Sequence, residues 1–360
     1  MRIVCTVTND LSHDQRMHRI CTTLQAAGHE VTLVGRLLPD SPPLAERSYR
    51  TYRIRCRYHR GKAFYAEYNL LLWRILRRWT FDVICSVDLD TLLAGYLLKT
   101  GGRKFVYDAH EWFSETPEVH PRPLIRWSWR CLGRLLVPLT DTRYTVSETL
   151  AEQLTLDYHR SFAVIRNAPM KNIFTKKENF GGVIIYQGML NPGRGLPEAI
   201  KSLTHLSDEA LMIVGSGPEE GALRNLANDL DVEGRVHFTG FQPPERLAEY
   251  TAKAWLGLNL LEASSPSYYY SLANKSLDYL QAGLPSIQMD FPEYRRINDR
   301  YDCFILLPRL DARLLAKTIA ELRDNPARHQ ELSANCLHAA ADLCWEREAP
   351  KLLSIYAGLR

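Results

Sequence analysis

The chain has 360 residues, of which 46% are apolar, and a formal net charge of +4. That length allows two globular domains, and so mild a charge argues against nucleic acid as a partner. Eight cysteines are scattered without a CxxC pair or a histidine–cysteine ligand spacing, which reads as reduced, buried thiols in a cytosolic protein with no zinc site. The opening MRIVCTVTND begins a strand and lacks the apolar core of a signal peptide, and no apolar run is long enough to span a bilayer.

Arg2–Thr8 reads as a buried parallel strand, followed by a polar loop, a helix from Gln15 to Ala27 and a second strand at Glu30–Gly35. This βαβ unit has no GxGxxG at its first turn, so a dinucleotide-dependent dehydrogenase is not expected. Its loop carries Asp14 and Arg16 at the carboxyl end of the strand, where open α/β sheets place ligands. A capping Asp14 with a solvated Arg16 is the alternative. Further strands are expected around Tyr52–Cys56, Val83–Ser86 and Lys104–Asp108. The run Asp82–Asp88 turns acidic at its carboxyl end, and Lys104–Asp108 leads straight into Ala109, His110 and Glu111. A histidine flanked by carboxylates at a strand terminus suits hydrogen bonding to a sugar hydroxyl or a phosphate near neutral pH.

Two segments mix tryptophan, leucine and arginine, Leu71–Trp79 and Leu124–Leu136. On a helix that mixture fits a half-buried element with arginines reaching outward, or a membrane interface, and a weak membrane-surface contact is expected from the pair. Tyr144–Ser147 reads as a strand, with Ser147 capping a helix at Glu148, and Ala163–Arg166 as the next strand. Met170–Phe180, with Lys171, Lys176 and Lys177, is polar and reads as a domain linker.

The α/β pattern then restarts. A strand at Val183–Tyr186 runs into the glycine-rich loop Gln187–Gly195 and a helix at Pro197–Ser202. Such a loop exposes backbone N–H groups, and Arg194 adds a fork-shaped donor; a diphosphate site and a plain glycine turn both fit. Leu211–Val214 before Gly215 and Gly217 repeats the theme of strand, glycine turn and helix. Arg235–Phe238 precedes Thr239, Gly240 and Phe241, and a helix at Pro244–Tyr250 leads to a strand at Trp255–Leu260.

Ser264–Pro285 is the most informative stretch. Leu277, Leu280 and Leu284 share one helical face, Gly283 suits the C′ position, and Pro285 cannot continue the helix. Lys275 in the first turns opposes the macrodipole unless an anion sits there, and Asp278 stands one turn further in, placed to accept hydrogen bonds from a ribose diol. An ordinary amphipathic helix with a charged face is the other reading. Pro285–Met289 is the following strand, helices at Leu314–Asp324 and His329–Leu343 pack the second domain, and Trp345–Leu359 is expected to cross back to the first.

In order, YQGMLNPGRG (Tyr186–Gly195), IVGSGPEE (Ile213–Glu220), VHFTGF (Val236–Phe241) and ANKSLDYLQAGLP (Ala273–Pro285) resemble the motifs of retaining glycosyltransferase family 4, of the group 1 type. Asp14–Arg16 and Asp108–Glu111 resemble that family's acceptor-side and cleft motifs, so the likeness covers nearly the whole chain. It implies an α/β GT-B fold, two Rossmann-like parallel-sheet domains facing a central cleft. The N-terminal acceptor-side domain would span 1–170, the nucleotide-sugar-binding domain 171–344, and a C-terminal helix 345–360.

By the same resemblance, His110, Arg194 and Lys275 are catalytic. Gly188, Gly215, Gly217, Phe241, Tyr270, Ser271, Asn274 and Asp278 hold a UDP or GDP sugar, and Asp14, Arg16 and Glu111 lie on the acceptor side. No metal or other cofactor is implied. The acceptor expected is a glycan or lipid-linked glycan of cell-surface polysaccharide synthesis, and the two basic-aromatic segments suit a cytoplasmic protein peripheral at the inner face of the plasma membrane. The chain departs from the family pattern at Tyr270, where an acid is usual, and at Met189, where an arginine is usual. A sugar-nucleotide epimerase and an inactive nucleotide-binding subunit stay open as alternatives.

Overall fold

The computed structural model describes residues 1–171 and 182–359, so Lys176 and Lys177 of the expected linker lie outside the described residues. The chain divides into two compact units, Met1–Asn167 with Arg347–Arg360, and Ala168–Glu346. It is an α/β protein with two parallel sheets, in which helices join most successive strands and β2 passes to β3 without one.

In the first unit the order of elements is β1 (Arg2–Thr6), α1 (Gln15–Ala26), β2 (Glu30–Leu37), β3 (Arg50–Arg55), α2 (Gly61–Leu76), β4 (Val83–Val87) and α3 (Leu92–Leu98). There follow β5 (Lys104–Ala109), α4 (Pro123–Leu136), β6 (Thr142–Thr145), α5 (Glu148–Tyr158) and β7 (Ala163–Val164). The seven strands lie in the order β3-β2-β1-β4-β5-β6-β7. The central strands are buried on both faces, which is why β4 reads as the unbroken run Val83–Val87 rather than an alternating one. Strand order reverses between β1 and β4, so the carboxyl ends of β1, β4 and β5 form the edge where such sheets hold ligands.

The second unit contains β8 (Val183–Gln187), α6 (Leu196–Ser202), β9 (Ala210–Val214), α7 (Glu220–Asp229), β10 (Val236–Gly240), α8 (Pro244–Thr251), β11 (Leu256–Asn259) and α9 (Pro266–Tyr269). After these come α10 (Asn274–Gln281), β12 (Ser286–Met289), α11 (Pro292–Tyr301), β13 (Phe304–Leu307), α12 (Ala312–Arg323) and α13 (Pro326–Asp342). Its six strands lie in the order β10-β9-β8-β11-β12-β13, reversing at β8 and β11. α14 (Trp345–Ala357) begins in this unit, with the Trp345 N–H donating to the Pro169 carbonyl at 2.8 Å, and ends with Leu352 and Tyr356 buried in the first.

Several local expectations are corrected. α2 begins ten residues before Leu71 and stops at Leu76, so Arg77, Arg78 and Trp79 lie beyond it. α3, α11 and β13 were not foreseen. α3 is seven residues of nearly continuous apolar character without helical periodicity, and β13 is only four residues long. α11 is strongly polar and buries only Glu293, Tyr294, Ile297 and Tyr301. Seven of the eight cysteines are buried and all are free, but Cys131 is exposed.

Candidate functional site

The second unit gathers its candidate residues at the switch between β8 and β11. Gly188 leaves β8 at φ 135°, and a side chain there would meet the Lys275 Nζ at 3.6 Å. Gly215 sits at φ 147°, where a Cβ would come within 1.9 Å of the Gly188 carbonyl oxygen, so only glycine lets the two loops touch. The loop returns through Arg194 to α6. The Arg194 guanidinium lies over the Tyr268 ring at 4.7 Å, and its Nε is buried without a hydrogen-bond partner. The Lys275 Nζ lies 4.0 Å above the Tyr186 ring, whose hydroxyl donates to the Met189 carbonyl at 2.8 Å.

Lys275 is 7% exposed. Burial and the neighbouring Arg194 push its ammonium well below the usual lysine range, and Asp278 only partly offsets them. Among the described residues neither Arg194 nor Lys275 has an ion-pair partner. Two neighbouring cations that lack an ion pair among the described residues, with Asp278 offsetting them only in part, favour an anion, because each raises the cost of the other.

α10 holds this arrangement rigidly. Beneath it, the Asn259 amide donates to Ser276 Oγ at 3.1 Å and to Gln288 Oε1 at 2.7 Å, and Ser276 Oγ donates to the same Gln288 oxygen at 2.9 Å. The Ala273 N–H, just ahead of the helix, donates to the Tyr294 hydroxyl at 3.0 Å. At the far end Gln281 donates to the carbonyls of Ala340 and Leu343, and Gly283 at φ 60° terminates the helix as the sequence suggests. Asp278 accepts from the Gln187 amide at 3.0 Å, and Gln187 in turn accepts from the Thr251 hydroxyl at 2.9 Å.

The first unit has a different electrostatic character. Asp108, fully buried at the end of β5, accepts from Arg16 Nη2 at 2.7 Å through one oxygen and faces His110 Nε2 at 3.1 Å with the other. Burial works against the Asp108 carboxylate, but Arg16 and His110 hold it below the usual range. Burial also works against the imidazolium of His110, yet Asp108 outweighs it and pushes His110 up to about 9, so the ring is charged near neutral pH. The His110 N–H donates to Asp88 Oδ1 at 2.9 Å. Asp88, at φ 53°, is pushed up to about 6 by burial. Asp90 is pushed up to about 7 by burial and by Asp88, and accepts from the Thr8 hydroxyl.

Of the alternative reading at the first loop, the capping Asp14 is present and the solvated Arg16 is corrected. Arg16 is 3% exposed, with Nη1 on the Ile165 carbonyl at 2.7 Å and Nη2 on Asp108, so it is neither solvated nor free to meet an acceptor. It positions Asp108 and, through it, His110. Asp14 is the cap of α1, accepting from the Met17 N–H at 2.9 Å and from the Asn9 amide at 2.7 Å. Glu111 is exposed.

The structure brings Gly188, Gly215, Arg194, Lys275 and Asp278 together. Asn274 is exposed at the first residue of α10, and Gly217 packs against Leu190, whose carbonyl a Cβ there would meet at 2.6 Å. Ser271 donates to the Tyr268 carbonyl at 2.8 Å, Tyr270 stands edge-on to Tyr269 at 5.0 Å, and Phe241 is 54% exposed after β10. Sequence reading missed the tyrosine floors, Tyr186 and Tyr268. Tyr186 looks like the last core residue of a strand, and Tyr268 is one of three consecutive tyrosines with nothing to single it out.

Two family models match the chain, Glycosyltransferase Family 4 over residues 14–168 and Glycosyl transferases group 1 over residues 170–339. No curated protein matches it. Among solved structures, sucrose-phosphate synthase from Thermosynechococcus elongatus superposes with a TM-score of 0.83 at 18% identity, covering 100% of this chain and 99% of that one. HepE from Anabaena, in complex with UDP and glucose, gives 0.81 at 14% identity with 99% of each chain covered. WaaG, a glycosyltransferase involved in lipopolysaccharide biosynthesis, gives 0.73 at 16% identity with 99% of each chain covered. At these identities the likeness establishes the fold, which is that of the GT-B glycosyltransferases.

Proposed function

Since the chain belongs to the family 4, group 1 glycosyltransferases, we propose that it moves a sugar from a nucleoside diphosphate sugar to a glycan or lipid-linked acceptor, retaining the anomeric configuration. The observation that carries this reading is the convergence of Arg194 and Lys275 beside Gly188 without an ion-pair partner among the described residues. A diphosphate is the group those two cations lack. HepE, of the same fold, holds UDP and glucose, which supports a nucleotide-sugar donor here.

In this mechanism the bond from the anomeric carbon to the diphosphate oxygen breaks, and the leaving diphosphate gains negative charge. Arg194 and Lys275 stabilise that charge, and Gly188 lets the phosphates approach the backbone. Asp278 is oriented by Gln187 to accept from the ribose diol. The acceptor oxygen attacks on the face the diphosphate leaves and passes its proton to the departing diphosphate oxygen, so configuration is retained without a carboxylate nucleophile. Within the first unit, Asp108 keeps the His110 ring charged and occupies Nε2, which leaves Nδ1 as the ring donor suited to a sugar hydroxyl.

Removing one such donor costs about 3 kcal/mol of transition-state stabilisation. Arg194→Ala is therefore expected to lower turnover of donor and acceptor by roughly two to three decades. Unchanged turnover would remove Arg194 from the mechanism.

A further inference from the structure

α4 is amphipathic with its faces reversed. Arg126, Arg130 and Arg134 repeat at four-residue steps and turn inward, onto two buried carboxylates. Arg126 pairs with Glu115 at 2.7 Å and Arg134 with Asp157 at 2.7 Å, while Arg130 lies between them at 3.9 and 3.6 Å. Glu115 and Asp157 have side-chain exposures of 1% and 5%. On the same inner side the Trp129 ring packs edge-on against Tyr65 and Phe113, and Gly133 lies against Tyr158.

The opposite side is apolar and faces solvent. Leu124, Trp127, Cys131 and Leu135 fall on one stripe, and Leu124 is 82%, Trp127 67% and Leu135 68% exposed. The other segment flagged by composition does not share this feature. Leu72 and Leu76 of α2 are buried, and Trp73 and Trp79 are half-buried. A soluble protein gains nothing by exposing the largest apolar side chains of a helix whose arginines are drawn onto buried carboxylates.

We propose that the outer stripe of α4 docks on the surface of an anionic phospholipid bilayer. Charge selects that occupant. Val119–Thr140 contains no acidic residue, while Arg122 stands at the helix N-cap and Arg134 is 54% exposed at the other end. Arg122 at one end, and at the other the Nη1 edge of Arg134 that Asp157 leaves unoccupied, pair with lipid phosphates as leucine and tryptophan enter the headgroup boundary. Trp127 suits that depth, since its ring is apolar and its indole N–H finds partners at a wet boundary. A second copy of the chain fits less well, because it would bring the same arginines together with no acid on either side to receive them. No helix among the described residues is long and apolar enough to cross a membrane, so the contact is peripheral. It rests on the lipid-linked acceptor only for its use; the docking stands or falls separately from donor binding.

The test is flotation of the full chain with vesicles of phosphatidylcholine, with and without phosphatidylglycerol. The chain should float with the anionic vesicles and detach as salt screens the arginines. All seven tryptophans lie among the described residues and Trp127 alone is exposed, so its emission should shift to the blue on binding. Leu124→Gln with Trp127→Gln should lower partitioning at least about tenfold, with an unchanged circular dichroism spectrum and unchanged nucleotide affinity in free solution. Three results would overturn the proposal: no partitioning of the wild type, equal partitioning of the double variant, or a concentration-dependent dimer that the double variant abolishes. The emission shift uses the unaltered protein, so it decides the matter even if the variant folds poorly.

Discussion

The candidate residues of the first unit pair their cations, and those of the second do not. Around β5, Arg16, Asp108 and His110 form a closed chain in which each charge has a partner. Around β8 and α10, Arg194 and Lys275 rest on tyrosine rings with no ion-pair partner among the described residues. Aromatic faces return ~0.5–2 kcal/mol to a cation, less than burial takes away, so a stacked pair stays short of negative charge. The lesson is where to look for an anionic ligand. It belongs at the cations the fold leaves uncompensated, rather than at the densest knot of charges.

The largest effect expected outside turnover tests the paired side. Replacing Arg16 with leucine leaves Asp108 buried with His110 as its remaining cation, and stranding one member of a buried pair costs ~3–5 kcal/mol. The urea midpoint of the first unit should fall accordingly, and adding Asp108→Asn should recover part of the loss. A midpoint that stays put would mean that Arg16 is not what keeps Asp108 charged.

A smaller effect of opposite sign is expected at Asp90. Burial and Asp88 raise its carboxyl to about 7, above its ordinary value in an unfolded chain. The contribution of such a group to stability is fully present below the unfolded value and is lost as pH rises through 7. Asp90→Asn keeps an acceptor for Thr8 and removes the buried charge. The melting temperature should rise by ~2–4 °C for each kcal/mol recovered, with the gain absent below the unfolded carboxyl value, growing as pH rises towards about 7 and constant above it. Calorimetry across pH reads this, and a gain independent of pH would contradict it.

The smallest effect is a null one. If fixed cations carry the diphosphate, EDTA should leave turnover unchanged. A loss restored by a divalent cation would assign part of that charge to a metal.

How much of this was legible before the structure depended on distance along the chain. Gly188, Arg194, Lys275 and Asp278 sit in two short motifs for which an anion site was one of two readings, and local spacing put the first two in a loop after a strand and the last two in the first turns of a helix. The fate of Arg16 was not legible, since its partner Asp108 lies 92 residues away and its carbonyl acceptor at Ile165 149 residues away. The orientation of α4 was hidden for the same reason. Its pattern gives two faces but not which of them is inside, and Glu115 and Asp157, buried elsewhere in the chain, decide that question. α11 and β13 escaped because a polar helix and a four-residue strand carry little periodic signal.

The most direct test of the uncompensated pair is calorimetric titration of UDP and GDP, in buffers of differing ionisation enthalpy, into the wild type and a Lys275→Gln variant. Burial and Arg194 depress Lys275 in the free protein, and a bound diphosphate raises it again, so binding should take up a proton and weaken as pH rises through the interval between the two values. The variant should bind more weakly and take up no proton there. Equal affinity and equal proton uptake in the two proteins would contradict the account.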